Sequence, residues 1–401
     1  MNKYSKFPFT EIATLIRGVS YDKKVASVLA KDGYIPVLRA NNIQKSLVLA
    51  DLVYVPSDLV KEEQMIRKGD IVLAMSSGSK DLVGKSAQAN NDINAAFGTF
   101  CGLIRAKDNI DSKFLGLYFQ TQEYRNFVSY QSQGVNICNL KKKDIESLQI
   151  PLPPLPTQHA IVSRIETLFA ELDKGVEHLR TAQQQLKTYR QAVLNHWLNN
   201  DDGKWETVKL KDIADVNTGS TPKRGNNDYW ENGTIPWITS GETNNQYITQ
   251  ASEFITAKAI AETNCKIIPK GSLVIAMYGE GKTRGKCAEL SIDAATNQAL
   301  ASITFTDTEI SKNFAKWFFE KNYQDMRLLS SGGVQPNLNL GIIKNMIIPF
   351  PPISEQQRIV KEIESRLSQA TASETYIENA LQQAEALRQS ILKKAFSGEL
   401  V

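Results

Sequence analysis

The chain is 401 residues long, more than one ordinary hydrophobic core accommodates, so two or more domains are expected. Hydrophobic residues make up 42% of it and charged residues 22%, a globular composition that excludes collagen-like repeats and wholesale disorder. With 47 basic and 43 acidic residues the formal net charge is only +4, so a nucleic acid would have to meet local basic patches or share its phosphates with a partner protein.

Apolar runs, cysteines and histidines exclude further classes. The longest apolar runs are far shorter than the ~20 residues that cross a bilayer, and the first residues lack the apolar stretch of a signal peptide, which predicts a cytosolic protein. The four cysteines form no Cys-x-x-Cys pair, and the three histidines, His159, His178 and His196, fall in one short segment. The sequence supports neither a disulfide framework nor a zinc site.

Residues 1–156 are predicted to form a globular α+β domain. Short β-rich runs such as Ile71–Met75 alternate with Gly, Asn and Ser turns, and one helix is expected near Phe114–Tyr124. Pro153 and Pro154 then block continuation of any earlier helix, and Thr157 is predicted as the N-cap of a long one.

The segment 157–199 is predicted to be a single long helix. Its apolar positions run from Ile161 to Trp197, 36 residues in ten steps, which is one continuous stripe at the helical period. At about 1.5 Å per residue the helix is roughly 60 Å long. A helix of that length with one narrow apolar face needs a partner.

The second half of the chain repeats the first. Ile150-Pro-Leu-Pro-Pro154 recurs as Ile348-Pro-Phe-Pro-Pro352, and Gln158-x2-Ile-Val162 recurs as Gln356-x2-Ile-Val360, at a constant offset of 198. Residues 200–353 are therefore predicted to form a second α+β domain and residues 354–401 a second long helix, with Ser354 as its N-cap. Several shorter repeats, as a solenoid requires, are not seen.

The two long helices are predicted to pair as an antiparallel coiled coil, which gives the duplicated chain pseudo-two-fold symmetry with one domain at each end. An ordinary core face is the alternative interpretation of each stripe, but the length and the duplication favour a spacer. The residues predicted to pair the helices are Ile165, Leu172, Leu179, Leu186, Val193, Ile363, Ile377, Leu381, Leu387 and Ile391.

Motifs for catalysis are weak. Gly281-Lys-Thr283 resembles the end of a phosphate-binding loop, but neither Ala276 nor Met277 supplies the first glycine, and Gly285 interrupts the helix that should follow. Three histidines on one helix suggest no Ser/His/Asp set, and no Asn-Pro-Pro-aromatic run exists for amino-methyl transfer. No catalytic centre is predicted.

Polar loops recur at equivalent places of both halves, with unlike residue types on similar framework strands. Arg pairs with guanine and Asn with adenine in the major groove, while Lys, Ser and backbone N–H groups hold phosphates. Solvated turns are the alternative for any single residue, but the recurrence favours two readers of two short DNA sequences. The predicted DNA-binding residues are Lys23, Lys24, Arg39, Asn41, Asn42, Ser77, Ser79, Lys80, Thr218, Ser220, Thr221, Lys223, Arg224, Asn226, Thr243, Asn244, Tyr278, Lys282 and Arg284.

Together the two Pro-Pro-x3-Gln-x2-Ile-Val helices and the signatures Gly219–Pro222, Ile235–Trp237 and Lys270–Leu273 resemble a type I restriction-modification specificity subunit. The resemblance covers essentially the whole chain. The first domain departs from it, because Val19-Ser-Tyr-Asp22 replaces Gly-Ser-Thr-Pro and Val37 replaces Trp.

The resemblance implies a non-catalytic subunit with two target recognition domains, 1–156 and 200–353, each reading one half of a bipartite, asymmetric DNA site. It implies that the helices set the gap between the halves and that two modification subunits dock on the chain. Those subunits would supply S-adenosylmethionine and adenine methylation, and restriction/translocation subunits would supply ATP- and Mg²⁺-dependent cleavage. The chain itself is expected to hold no cofactor or metal.

Two other classes stay open. The first is a protein-assembly scaffold in which the coiled coil is the function and the domains bind proteins; it would show no salt-dependent DNA binding. The second is a self-sufficient nuclease or methyltransferase, which the missing motifs disfavour.

Overall fold

The computed structural model describes residues 3–78, 82–131, 138–200, 202–279, 283–328 and 338–401. Contacts divide the chain into two units, residues 1–180 with 378–401, and residues 181–377. Each unit holds one α/β domain together with part of both long helices. Among the described residues, no helix combines the length and the apolar character needed to cross a membrane.

The first domain is built from eleven strands and four helices among the described residues. In chain order they are β1 Lys6–Pro8, α1 Phe9–Ile12, β2 Ala13–Arg17, β3 Tyr34–Leu38, β4 Val53–Pro56, β5 Ile71–Ala74, β6 Ser76–Ser77, β7 Ser86–Gln88, β8 Ala96–Phe97, β9 Cys101–Ala106, α2 Ser112–Tyr118, α3 Gln122–Gln131, β10 Cys138–Asn139, α4 Lys142–Glu146 and β11 Gln149–Pro151, followed by the long helix α5 Leu155–Leu198.

The second domain follows the same order. Its elements are β12 Thr207–Lys209, α6 Leu210–Ile213, β13 Ala214–Thr218, β14 Ile235–Ile238, β15 Tyr247–Ile248, β16 Glu253–Ile255, α7 Ala257–Glu262, β17 Leu273–Ala276, β18 Cys287–Leu290, β19 Ala295–Thr296, β20 Leu300–Phe305, α8 Lys312–Lys321, α9 Tyr323–Leu328, α10 Leu340–Lys344 and β21 Ile347–Pro349, followed by the long helix α11 Ile353–Ser397.

The sheets confirm the internal duplication. The order β2-β9-β5-β7 in the first domain corresponds to β13-β20-β17-β18 in the second, where β15 adds an edge strand. The small sheets β4-β3-β8 and β16-β14-β19 correspond as well, each with one parallel pair. The central strands β5 and β17 are buried at every position, as their continuous apolar sequences require.

The long helices run antiparallel to each other. In the first unit Arg388 of α11 pairs with Asp173 of α5, and in the second unit Arg190 of α5 pairs with Glu374 of α11. Residue numbers therefore rise along one helix as they fall along its partner. Apolar residues of both helices also enter the cores of the domains, for example Ile165 and Ile391 in the first and Val193 and Ile363 in the second.

Nine of the ten residues predicted to pair the helices are buried or half-buried, but Leu387 is wrong because 52% of its surface is exposed. The buried face passes through Arg388, whose guanidinium carbon lies 4.1 Å from the Phe169 ring centroid, and continues to Leu392 and Phe396. The prediction chose Leu387 as the next residue of the stripe after Leu381, one residue before Arg388. The sequence does not decide between the two, because the apolar positions of a helix advance by either three or four residues.

The predicted N-caps Thr157 and Ser354 are also wrong. Both lie inside the first turn, because α5 begins at Leu155 and α11 at Ile353. The carbonyl groups of Pro154 and Pro352 accept the first helical hydrogen bonds instead.

The glutamine of the repeated Pro-Pro-x3-Gln motif fastens each long helix to its domain. The Gln158 side chain accepts a hydrogen bond from the Asp111 N–H at 2.9 Å and donates one to the Pro153 carbonyl at 2.9 Å. Gln356 repeats this with the Ser311 N–H at 2.7 Å and the Pro351 carbonyl at 2.7 Å, and it also donates to Glu309. Both side chains are at most 1% exposed, so the motif has a structural role in each half.

We expect Gln356→Leu to lower the free energy of unfolding by about 2 kcal/mol, because it leaves a buried N–H and buried carbonyls without partners. Gln357→Leu, an exposed position one residue on, is the matched control and should change it by less than about 0.5 kcal/mol. Urea unfolding followed by circular dichroism measures both. Equal effects of the two variants would show that Gln356 does not fasten the helix.

Candidate nucleic-acid interface

The polar loops of the second domain meet at one edge of its sheets. The Ser220 N–H donates to the Thr296 carbonyl at 2.9 Å, and the Asn297 N–H donates to the Ile238 carbonyl at 2.9 Å. Lys286, which follows the predicted loop 278–284, donates to the Asn244 side chain at 2.8 Å. Residues 218–226 and 240–245 therefore share one surface with the start of β18.

A glycine is required where the first of these loops leaves its strand. A Cβ atom at Gly219 would lie 1.9 Å from the Thr296 carbonyl oxygen, and one at Gly18 would lie 2.0 Å from the Gly98 carbonyl oxygen. Gly18 thus occupies the place of Gly219 in the first domain. The alignment of Val19 with this glycine is therefore wrong by one residue, and Gly18-Val-Ser-Tyr21 is the true counterpart of Gly-Ser-Thr-Pro.

Arg224 is held by its own domain. Its guanidinium pairs with Glu253 and lies 4.0 Å from the Trp230 ring centroid and 4.9 Å from that of Trp237. The hydrogen bond to Glu253 raises the pKa of the guanidinium. Because a carboxylate already neutralises this cation, we expect the neighbouring Lys223, which is exposed, to carry more of the attraction for phosphate.

In the first domain the equivalent place is open. Val53 stands where the second domain has Glu253, since both residues are registered opposite the same position of the neighbouring strand, Val37 and Trp237. A cavity of about 740 Å³ lies here, and the predicted residues Lys23, Arg39 and Asn41 line it. The walls are mostly apolar and polar groups stand among them. The full lining is Tyr21, Lys23, Ala26, Ser27, Val28, Arg39, Ala40, Asn41, Val53, Ser76, Gly98, Thr99, Phe100 and Cys101.

A second cavity of about 510 Å³ shares Thr99 and Cys101 with the first. Arg17, Lys141 and Lys142 also line it, and none of the three was predicted from the sequence. Arg17 is the last residue of β2, and the two lysines begin a short helix far along the chain, so only the folded sheet brings them together. The only sequence feature that these residues share is a positive charge at the end of a strand or helix. That feature is too frequent in sequences to identify a binding site.

Two predicted DNA-binding residues are wrong because they are buried. Asn42 is 1% exposed, and its amide bonds to the Arg39 N–H and to the carbonyls of Val48 and Ala50. Thr243 is 2% exposed, and its hydroxyl donates to the Ser240 carbonyl. Both shape their loops from inside. In the second domain Glu242 takes the position of Asn42, and although burial opposes its ionisation, hydrogen bonds from Ser252 and Thr239 lower its pKa.

The other predicted residues reach the surface in whole or in part. Lys24 is exposed, Ser77 and Arg284 are half-buried, and Tyr278 is 38% exposed. Thr218 and Thr221 both direct their hydroxyls to Gln298, and Asn226 accepts a hydrogen bond from the Asp228 N–H. Ser79, Lys80 and Lys282 lie outside the described residues. Among the described residues, no group of three or more potential metal ligands occurs.

Comparison with known proteins identifies one family. The family model described as "Type I restriction modification DNA specificity domain" matches residues 1–178 and again 202–383. The chain is 32% identical to the type I restriction enzyme EcoKI specificity subunit of Escherichia coli (strain K12), over 98% of this chain and 88% of that one. It is also 32% identical to the StySPI specificity subunit of Salmonella potsdam, with the same coverage.

Solved structures agree on the fold. A chain from a study of complex assembly and conformational transition of the type I R-M system superposes with a TM-score of 0.77 at 18% identity, covering 99% of this chain and 98% of that one. The HsdS subunit from Thermoanaerobacter tengcongensis gives a TM-score of 0.51 at 18% identity, covering 99% and 97%. At this identity the likeness concerns the fold alone.

Proposed function

We propose, from the premise that this chain belongs to the type I restriction-modification DNA specificity family, that each of its two α/β domains reads one half of a bipartite, asymmetric DNA site. The chain is a specificity subunit, and its relatives at 32% identity over nearly the whole chain carry that name. The first domain would recognise one half-site through the surface around Arg39, and the second the other through residues 218–226 and 240–245.

One observation carries this proposal: the two domains present different side chains on the same framework. Arg17 corresponds in register to Thr218, and Arg39 to Thr239, while the strands beneath pair identically. Two domains that recognise different short DNA sequences need the same strands but different polar side chains in their loops. Base edges are distinguished by the hydrogen-bond donors and acceptors that contact them.

The chain would act with partners that perform the chemistry. Two modification subunits would dock on it and methylate adenine with S-adenosylmethionine, and restriction/translocation subunits would use ATP and Mg²⁺. The chain itself would be non-catalytic and hold no cofactor. Extrusion of the target adenine from the duplex would fall to the modification subunits. The sharing of DNA with these partners is consistent with the modest net charge of +4.

The paired helices would set the length of the gap between the half-sites. Two ion pairs between them, Asp173–Arg388 and Arg190–Glu374, join defined positions of the two helices, as a spacer of constant length needs. Recognition domains that read one face of B-DNA want their centres about one turn, ~34 Å, apart.

Salt-dependent DNA binding separates this proposal from the protein scaffold. We expect the chain, assembled with its modification subunits, to bind duplex DNA with an affinity that falls steeply with salt, and Lys223→Ala to reduce the slope of log K against log salt by about 0.9. Lys211→Ala is the matched control, because Lys211 is exposed but precedes β13 whereas Lys223 follows it. Fluorescence anisotropy at several salt concentrations measures this. A complex whose DNA binding is absent or insensitive to salt would favour the scaffold.

A further inference from the structure

Phe100 is an exposed aromatic side chain of the first domain, in a turn that is bordered by cationic residues. Its surface is 65% exposed, although a ring of this size is ordinarily buried. It lines the larger cavity with Lys23 and Arg39, and the neighbouring Thr99 joins that cavity to the one lined by Arg17 and Lys141. Among the described residues, neither cavity is lined by any Asp or Glu.

The backbone beneath this ring is fixed. The Phe100 carbonyl accepts hydrogen bonds from the Met75 N–H at 2.8 Å and the Ser76 N–H at 3.2 Å, and the Cys101 N–H closes the turn onto Gly98 at 2.8 Å. Met75 extends the buried central strand β5. The ring therefore projects from a turn that is tied to the core of the domain, so little order would be lost on binding.

The second domain lacks this ring. Ala299 occupies the place of Phe100, since its carbonyl accepts from the Met277 N–H at 2.8 Å as that of Phe100 accepts from Met75. The aromatic side chain is thus a property of one recognition domain and is not required by the shared framework. A ring that the fold does not need, and that lies exposed in a cavity with Lys23 and Arg39, points to a ligand.

We propose that Phe100 is a wedge residue, which the first domain inserts between two stacked bases of its half-site. This rests on the proposed DNA-binding function. Cations on both sides of the turn would hold phosphates, which directs the ring between them towards the bases. Partial unstacking by an apolar wedge kinks the duplex and brings more of it against the protein. The second domain, with alanine at this place, would bind its half-site without a wedge.

Phe100→Ala should weaken binding of the specific duplex by about tenfold to a hundredfold, because stacking of an aromatic side chain on a base has roughly this effect. The slope of affinity against salt should not change, since no charge is removed. Phe100→Trp should keep the wild-type affinity, because it keeps an aromatic ring at this position. Tyr130→Ala is the matched control, because Tyr130 lies in the same domain and is 75% exposed. All variants are measured in the complex with modification subunits.

The insertion itself is read with 2-aminopurine placed in turn at each position of the half-site read by the first domain, once that half-site has been mapped. Unstacking raises the fluorescence of this base, so we expect a signal at one step that Phe100→Ala abolishes and Tyr130→Ala keeps. Unchanged affinity for Phe100→Ala, or a fluorescence signal that survives it, would overturn the wedge. If the wild-type complex shows no salt-dependent DNA binding, the proposed function fails first.

Discussion

Four residues inserted into each long helix, after Gln184 and after Gln382, should lengthen the gap between the recognised half-sites and leave the half-sites unchanged. The two positions are equivalent in the repeat, and both lie between the ion pairs Asp173–Arg388 and Arg190–Glu374. Matched insertions therefore preserve both ion pairs. One extra turn adds about 6 Å by helical rise, slightly less than two base pairs of B-DNA.

The sequence of the DNA site that carries methylated adenine shows the length of the gap directly. Single-molecule methylation sequencing of cells that express the variant with its partner subunits should show the native site lost and a site with a longer gap gained. Replacing the same exposed glutamines without insertion is the control and should leave the native site methylated. The old gap together with an altered half-site would contradict the spacer role of the helices.

Removal of three cations from the first domain should have the largest effect on DNA affinity. Arg17, Lys23 and Lys141 line the two joined cavities, and within the described part of the chain none of them makes a hydrogen bond or ion pair through its side chain. If each meets one phosphate, the triple alanine variant loses about 2.7 from the salt slope. The wild-type complex should then lose about 40-fold more affinity than the variant between 50 and 200 mM salt.

The charge-retaining variant Arg17→Lys, Lys23→Arg, Lys141→Arg separates charge from shape. It should keep the wild-type salt slope, because phosphate attraction depends on the positive charge more than on the geometry of the donor. Anisotropy titrations at four salt concentrations give both slopes. The same slope for the alanine variant and the wild-type complex would remove these residues from the DNA contacts.

The architecture could be predicted from the sequence because both halves of the chain contain the same motifs in the same order. One motif that occurs twice at a constant offset indicated the duplication. The apolar stripe at the helical period indicated the long helices, and its length indicated that each helix needs a partner. The exposed Leu387 shows the limit of such patterns, because a stripe that advances by three or four residues does not say which step comes next. The role of Gln158 and Gln356 required coordinates, since their partners lie 47 and 45 residues away along the chain.

The proposed recognition surface could be predicted from the sequence only in part. Loop composition selected segments that the structure places at one edge of the second domain, but it could not show that Asn42 turns inward or that Arg224 is neutralised by Glu253, 29 residues further on. Phe100 was missed because a single aromatic residue in a turn has no periodicity. Arg17 and Lys141 are far apart in the sequence, and only the folded sheet brings them to the same surface.

The central claim is that one chain reads two separate DNA sequences. Methylation sequencing of cells with and without the gene, with modification subunits present in both, tests it most directly. We expect a gene-dependent methylated adenine site made of two unlike specific parts separated by bases of any identity. A continuous site, or a methylation pattern that is the same without the gene, would contradict it.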